Sequence, residues 1–176
     1  FHPKQMAHGH ASRVLDYFQM KNLNICEQDA FLALHPKSKR PVGANWREQG
    51  KSQEEALSAN GNLGLLLGPK SSVMDVDLDC SEAKGLADLI LPKPFVKFDR
   101  GTAGSGHFLY KAKSFGPTKR FGANGAKTTL VELRGDGSQT MIPPSVHPDG
   151  DSLVFKDANP DAAEIEYLDL LRSVSL

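Results

Sequence analysis

Val73-Met74-Asp75-Val76-Asp77-Leu78-Asp79 alternates acidic and aliphatic side chains almost without a break. Successive side chains of a strand point to opposite faces. Asp75, Asp77 and Asp79 therefore share one face, and Val76 and Leu78 share the other. Neighbours on one face stand about 6.8 Å apart along the strand. Carboxylates so spaced can lean together onto divalent cations, which two-metal sites hold roughly 3.5–4 Å apart. Without a cation, the like charges repel and raise one another's pKa. A solvated edge strand is the plain alternative. Against it, strands tend to reject Asp, and from Met74 to Asp79 this face carries only Asp where Thr or Lys is usual. Asp79 also sits where it can cap the next helix.

The elements around this strand follow from local pattern. Downstream, Ser81 to Ile90 predicts a helix closed by Pro92 and Pro94. Upstream, Leu63 to Leu67 is apolar enough for a strand covered on both faces. Further strands are predicted over Phe95–Phe98, Phe108–Lys111 and Thr128–Leu133, with weaker ones over Thr140–Ile142 and Leu153–Phe155. In the first third, Val14, Leu15 and Phe18 recur at helical spacing within Ala11–Met20. Ile25–Leu34 predicts a strand and His35–Asn45 a polar loop. Ser52-Gln53-Glu54-Glu55 is a capping box, so a short helix should run to Ala59 and stop at Asn60-Gly61. Near the end, Asn159 as N-cap and Pro160 at the first position predict a helix with a stripe of Ile165, Leu168 and Leu171. Helices and strands mix without a βαβ rhythm, which predicts an α/β (α+β) sheet rather than a doubly wound fold.

With 176 residues, 39% of them apolar, the chain is expected to form a single domain over 1–176, with room for a small lobe. Lys+Arg and Asp+Glu both total 21, so no whole-molecule positive field grips nucleic acid, and a polyanion needs a local site. Cys26 and Cys80 form no C-x-x-C pair, so no zinc is expected and both thiols should stay reduced. No apolar run approaches the roughly 18 residues of a membrane span, and the polar start is not a signal peptide. The chain begins with Phe1, as expected of a fragment of something longer.

Other stretches carry chemistry. Arg100-Gly101-Thr102-Ala103-Gly104-Ser105-Gly106-His107 joins two predicted strands. Its glycines let consecutive N–H groups curl into an anion nest, with Ser105 and His107 as further donors. It is no Walker A loop, and a flexible hairpin is the bland alternative. Glu132 is the only acid on its strand, on the face away from Val131 and Leu133, with Arg134 on its own side. It is either outward-facing or the third carboxylate of a cluster. Met141-Ile142-Pro143-Pro144-Ser145-Val146-His147 is stiffened by its prolines, which suits either a structural turn or the holding of Ser145 and His147. Lys37, Lys39, Arg40 and Arg47 beside Trp46 form a basic cluster, either a solvated loop or a contact for phosphates.

Four blocks in order resemble the Prim-Pol catalytic domain of the archaeo-eukaryotic primase superfamily, found in plasmid, phage and mobile-element replication proteins. They are Lys39-Arg40-Pro41 with Trp46, Asp75-Val76-Asp77, Ser105-Gly106-His107, and Glu132-Leu133-Arg134-Gly135 through Pro143-Pro144-Ser145-Val146-His147. The resemblance implies an RNA-recognition-motif-like antiparallel sheet with an N-terminal α/β lobe. It implies that Asp75, Asp77 and Glu132 bind Mg²⁺ or Mn²⁺. Ser105 and His107, with the backbone of Gly104 and Gly106, would hold the triphosphate of a (d)NTP, and Arg134 and His147 would add phosphate contacts. Lys39 and Arg40 would reach phosphates of nucleotide or template. It further implies a single-stranded DNA template with a primer, and a helicase or accessory helical domain in the full-length protein. No membrane is involved, and the setting would be the cytoplasm of a bacterial or archaeal cell. Glu132 departs from the Asp often found at its position. The expected activity is metal-dependent nucleotidyl transfer by a DNA primase-polymerase, with Asp75, Asp77, Glu132 and His107 at the chemistry. A metal-dependent nuclease and a non-catalytic DNA-binding or replisome-docking module are the rivals.

Overall fold

The computed structural model describes residues 25–26, 29–101, 105–122 and 128–175. The predicted helix over Ala11–Met20 lies outside them. In chain order the elements are β1 (Phe31–Leu34), α1 (Gln53–Ser58), β2 (Asn62–Leu66), β3 (Val73–Leu78), α2 (Ser81–Ile90), β4 (Val96–Asp99), β5 (Gly106–Lys111), β6 (Lys119–Gly122), β7 (Thr129–Arg134), β8 (Gln139–Ile142), β9 (Val154–Ala158) and α3 (Tyr167–Val174). The strands form two antiparallel sheets: β1-β2-β8, and the larger β6-β7-β3-β5-β4-β9. The fold is α+β, and most of its elements are strands.

The large sheet is covered differently on its two faces. One face carries Met74, Val76, Leu78, Phe108, Tyr110 and Leu133, which pack with Ala87 of α2 and Tyr167 and Leu170 of α3. The other carries Val73, Val96, Phe98 and Leu109, which join a second core with β1, β2 and β8. The acids of β3 lie on this second face, between the two sheets. Burying a mixed acidic and apolar face in this way requires partners for every charge.

Local signals decide several boundaries. The capping box forms as predicted: Ser52 Oγ accepts from Glu55 N–H, and the Glu55 carboxylate accepts from Ser52 N–H at 3.2 Å. Helix α2 matches its prediction, but Cys80, not Asp79, caps it, its Sγ accepting from Ala83 N–H at 3.4 Å.

Other expectations are corrected. The strand predicted over Ile25–Leu34 is confined to Phe31–Leu34. Strand β6 has no signal in the sequence: its residues Lys119, Arg120 and Gly122 are exposed at the sheet edge and show no apolar alternation. The last helix begins at Tyr167 rather than Pro160. Ile165 instead runs alongside β5, donating its N–H to Lys111 O at 2.9 Å and accepting from Lys113 N–H at 3.0 Å. That pairing overrides the local Asn-Pro start signal. The helix consequently buries Tyr167 and Leu170 and leaves Leu168 exposed.

Candidate functional site

Strand register builds the site. Glu132 on β7 and His107 on β5 both stand directly opposite Asp77 on β3. Continued outward, the same row reaches Arg120 on β6, Phe98 on β4 and Phe155 on β9. One residue from each of the six strands thus forms a single line across the sheet. In the adjoining row Arg134 faces Asp75, with Leu109 beyond it. Glu132 therefore lies on the same face as Asp75 and Asp77, and β3 is a central strand rather than an edge.

Two cations are folded into the acids. Arg134 forks across them: its Nη2 donates a short hydrogen bond to Asp77 Oδ2, and its Nε donates to Glu132 Oε2 at 2.9 Å. Its Nη1 lies 3.8 Å from Asp75 Oδ2. His107 Nδ1 is 2.9 Å from Asp75 Oδ2, and its Nε2 is 3.6 Å from Asp77 Oδ1. The His107 ring stacks on Phe98, with centroids 4.6 Å apart and planes 9° from parallel. The exposed Arg120 reaches the remaining Glu132 oxygen at 2.8 Å. Asp75 is fully buried, and its Oδ1 has no hydrogen-bond partner among the described residues.

These contacts set the charges. Burial disfavours the Asp75 carboxylate, but His107 and Arg134 outweigh it and hold the group below the ordinary carboxylate range. Burial likewise opposes the His107 imidazolium, yet the charges of Asp75 and Asp77 raise its pKa. Partial burial also opposes the Arg134 guanidinium, and Asp77, Asp75 and Glu132 together keep it charged. Asp79 moves upward, through burial and then through the charge of Asp77. Among the described residues, no three His, Cys, Asp or Glu side chains surround one point as a ready metal cage. The guanidinium of Arg134 lies among the carboxylates instead.

Beside the acids opens a cleft of about 420 Å³, including its mouth. Asp77, Asp79, His107 and Arg134 line its acidic end, and Lys39, Arg100, Ser105 and His147 line the rest together with Gln139, Met141 and Leu153. Asp75 lies beneath it rather than on its wall. His147 Nδ1 accepts from Asp149 N–H at 3.2 Å and lies 3.3 Å from Arg100. The Asp149 carboxylate lies 3.1 Å from the same nitrogen, and the other ring nitrogen, Nε2, is buried without a partner among the described residues. Burial, then the charges of Arg100 and Lys39, lowers the His147 pKa and keeps the ring neutral.

Not every predicted residue joins the cleft. Gly104 lies outside the described residues. Gly106 pairs with Leu78 at the start of β5. Arg40 is exposed and is not part of the cleft wall. Arg47 stacks on Trp46 and donates to Gly137 O at 2.8 Å, so it ties down a turn. Gly135, after Arg134, is required by packing: a Cβ there would run into the carbonyl oxygen of Gly116, which accepts from Asp136 N–H at 2.9 Å.

Ser145 is structural. Its Oγ accepts from Leu63 N–H at 2.9 Å and donates to Leu63 O at 3.2 Å. Asn62, which sequence reasoning passed over, exchanges hydrogen bonds with Val146 at 2.7 and 2.9 Å. Together they fasten the segment carrying His147 to β2. Ser145→Ala is expected to lower unfolding free energy by about 1–3 kcal/mol, because it strands buried backbone groups of Leu63. Denaturant unfolding checks this.

Asp99 also went unread. It accepts from Lys84 at 2.8 Å and from Gly101 N–H at 2.6 Å, and it faces Lys156 at 3.3 Å, so it anchors the start of the glycine loop. Burial pushes its pKa up, but Lys84 and the Gly101 N–H outweigh this and lower it. A lowered folded pKa gives stability that is present above the ordinary Asp value of about 3.9 and lost as pH falls through the folded value. Asp99→Asn is thus expected to be less stable than the parent at pH 7, with the gap closing toward pH 3. Urea midpoints measured across that range test the sign.

An α+β fold that sets a row of acids beside a basic cleft has the charge pattern of a site for phosphate-bearing ligands. Residues 15–167 match the Prim-Pol family, the N-terminal domain of bifunctional DNA primase/polymerases. The match spans most of the chain, and the chain belongs to this family. Membership makes it a primase/polymerase-type domain of DNA replication, with DNA and nucleotides as its class of substrate. No curated protein matches it closely. No helix among the described residues is long and apolar enough to cross a membrane.

Proposed function

We propose that residues 1–176 form the catalytic module of a DNA primase-polymerase that adds nucleotides from (d)NTPs to a primer on single-stranded DNA. The observation that carries this reading is the cross-strand row placing Glu132 directly opposite Asp77, with Asp75 next to Asp77 on the same face. The residues fit Mg²⁺ or Mn²⁺. Both are hard ions that prefer oxygen, the acids supply only oxygen donors, and the buried Asp75 Oδ1 accepts no hydrogen bond from the described residues. Asp75, Asp77 and Glu132 would be the ligands. Such ions, when bound, lower the pKa of the attacking 3′-hydroxyl and stabilise the departing pyrophosphate.

The chain's own residues do the rest. Asp75 fixes the His107 ring from one edge and Phe98 fixes it from its face. His107 then borders both the acids and the cleft. Ser105, the backbone around Gly104 and Gly106, Lys39, Arg134 and Nε2 of His147 would receive the triphosphate. Arg100, beside His147, adds positive charge there. Arg40, outside the cleft, would meet template phosphate. No side chain is needed as general base. The cytoplasm of a host cell replicating phage, plasmid or mobile-element DNA, with a helicase or accessory helical domain alongside, is the setting this reading implies.

The test is primer extension on a single-stranded template with Mn²⁺ and either dNTPs or rNTPs. Extension that stops with EDTA supports the proposal. Cleavage of labelled single-stranded DNA without nucleotides would favour a nuclease. Absence of Mn²⁺-dependent dATP binding in calorimetry would favour a non-catalytic module.

A further inference from the structure

We propose that Arg134 is a resident counter-cation that holds the acidic cluster together before the metal arrives and must leave it when the metal binds. The inference rests on the reading of Asp75, Asp77 and Glu132 as metal ligands. Their positions alone do not require it; the placement of Arg134 does. Its guanidinium hydrogen-bonds Asp77 Oδ2 and Glu132 Oε2 and comes within 3.8 Å of Asp75 Oδ2, so it occupies the space between the carboxylates that an ion bridging them would need. A guanidinium cannot relieve the conflict by losing its proton. One cation must therefore displace the other.

The surroundings provide for the exchange. Before it, the fork of Arg134 screens three buried carboxylates that would otherwise repel one another. Its side chain is 17% exposed and borders the cleft, so it has a way out. A triphosphate entering that cleft would offer the displaced guanidinium a new bidentate partner. Arg134 thus acts as a positioning residue. It keeps the acids converged in the free protein, and it couples their release to the arrival of metal and nucleotide together.

Two measurements test this without reference to turnover. In calorimetry with Mn²⁺ alone, Arg134→Gln is expected to bind at least tenfold more tightly than the parent, since the competitor is gone. Arg134→Lys, which keeps the charge but not the fork, should fall between them and serves if the glutamine variant does not fold. In the parent protein labelled with ¹⁵N-arginine, the Arg134 Nε–H signal should shift on saturation with Mg²⁺ as its bond to Glu132 breaks. Equal or weaker Mn²⁺ binding by both variants, or an Arg134 signal unmoved at Mg²⁺ saturation, would overturn the inference while leaving the metal site standing. No binding of Mn²⁺ to the parent at all would overturn the metal-site reading along with it.

Discussion

Asp77→Asn is expected to reduce primer extension by about three orders of magnitude or more while leaving the fold in place. Asp77 is the hub of the site, with Glu132 and His107 opposite it on either side and Asp75 next to it on its own face. An amide of the same shape keeps the strand and its packing but removes the charge. Metal ions contribute several kcal/mol of charge stabilisation in such reactions, and each decade of rate is about 1.36 kcal/mol. Stability should change little, because Arg134 keeps Glu132 as a partner at 2.9 Å. Extension rates and melting curves of parent and variant, measured side by side, decide it. A variant that extends primers at the parental rate would remove Asp77 from the chemistry.

Phe98→Ala is expected to be strongly destabilising and to disturb the site as well. The ring is 1% exposed, stacks on His107 and meets Phe155 edge-on with centroids 6.4 Å apart. Truncating a buried Phe in this way costs about 3–5 kcal/mol. For a chain of this size that is a fall in melting temperature of roughly 10 °C. Phe98→Leu should recover most of the stability but not the stacking plane for His107. If His107 orientation matters to the reaction, the leucine variant will stay folded and extend primers about tenfold more slowly. Equal rates in Phe98→Leu and parent would confine Phe98 to packing.

Some of this architecture is legible in local pattern. The alternation around Asp75 fixes the face its acids share, α1 carries its own start signal at Ser52, and Pro92 and Pro94 mark the end of α2. The edge strand β6 is not legible, because Lys119-Arg120-Phe121-Gly122 buries too little to impose a period. Helix α3 is misread for the opposite reason: Asn159-Pro160 is a strong local start, but Ile165 gains backbone partners beside β5 by staying extended. Ser145 reads as part of a motif, whereas its hydroxyl serves Leu63, 82 residues away. Phe98 and Asp99 look like ordinary strand residues until their partners are known.

The chain's order of residues settled which side chains β3 turns to a common face, because the two-residue period of a strand is a property of the backbone itself. It also settled that a Ser-x-His and a Glu-x-Arg-Gly segment would accompany that strand. Only the tertiary structure decided that β3 is central, that Glu132 stands opposite Asp77 and that Arg134 lies among the acids. Strand neighbours and register come from contacts between segments far apart in sequence. The charge balance of the site is set by those contacts and by no local pattern.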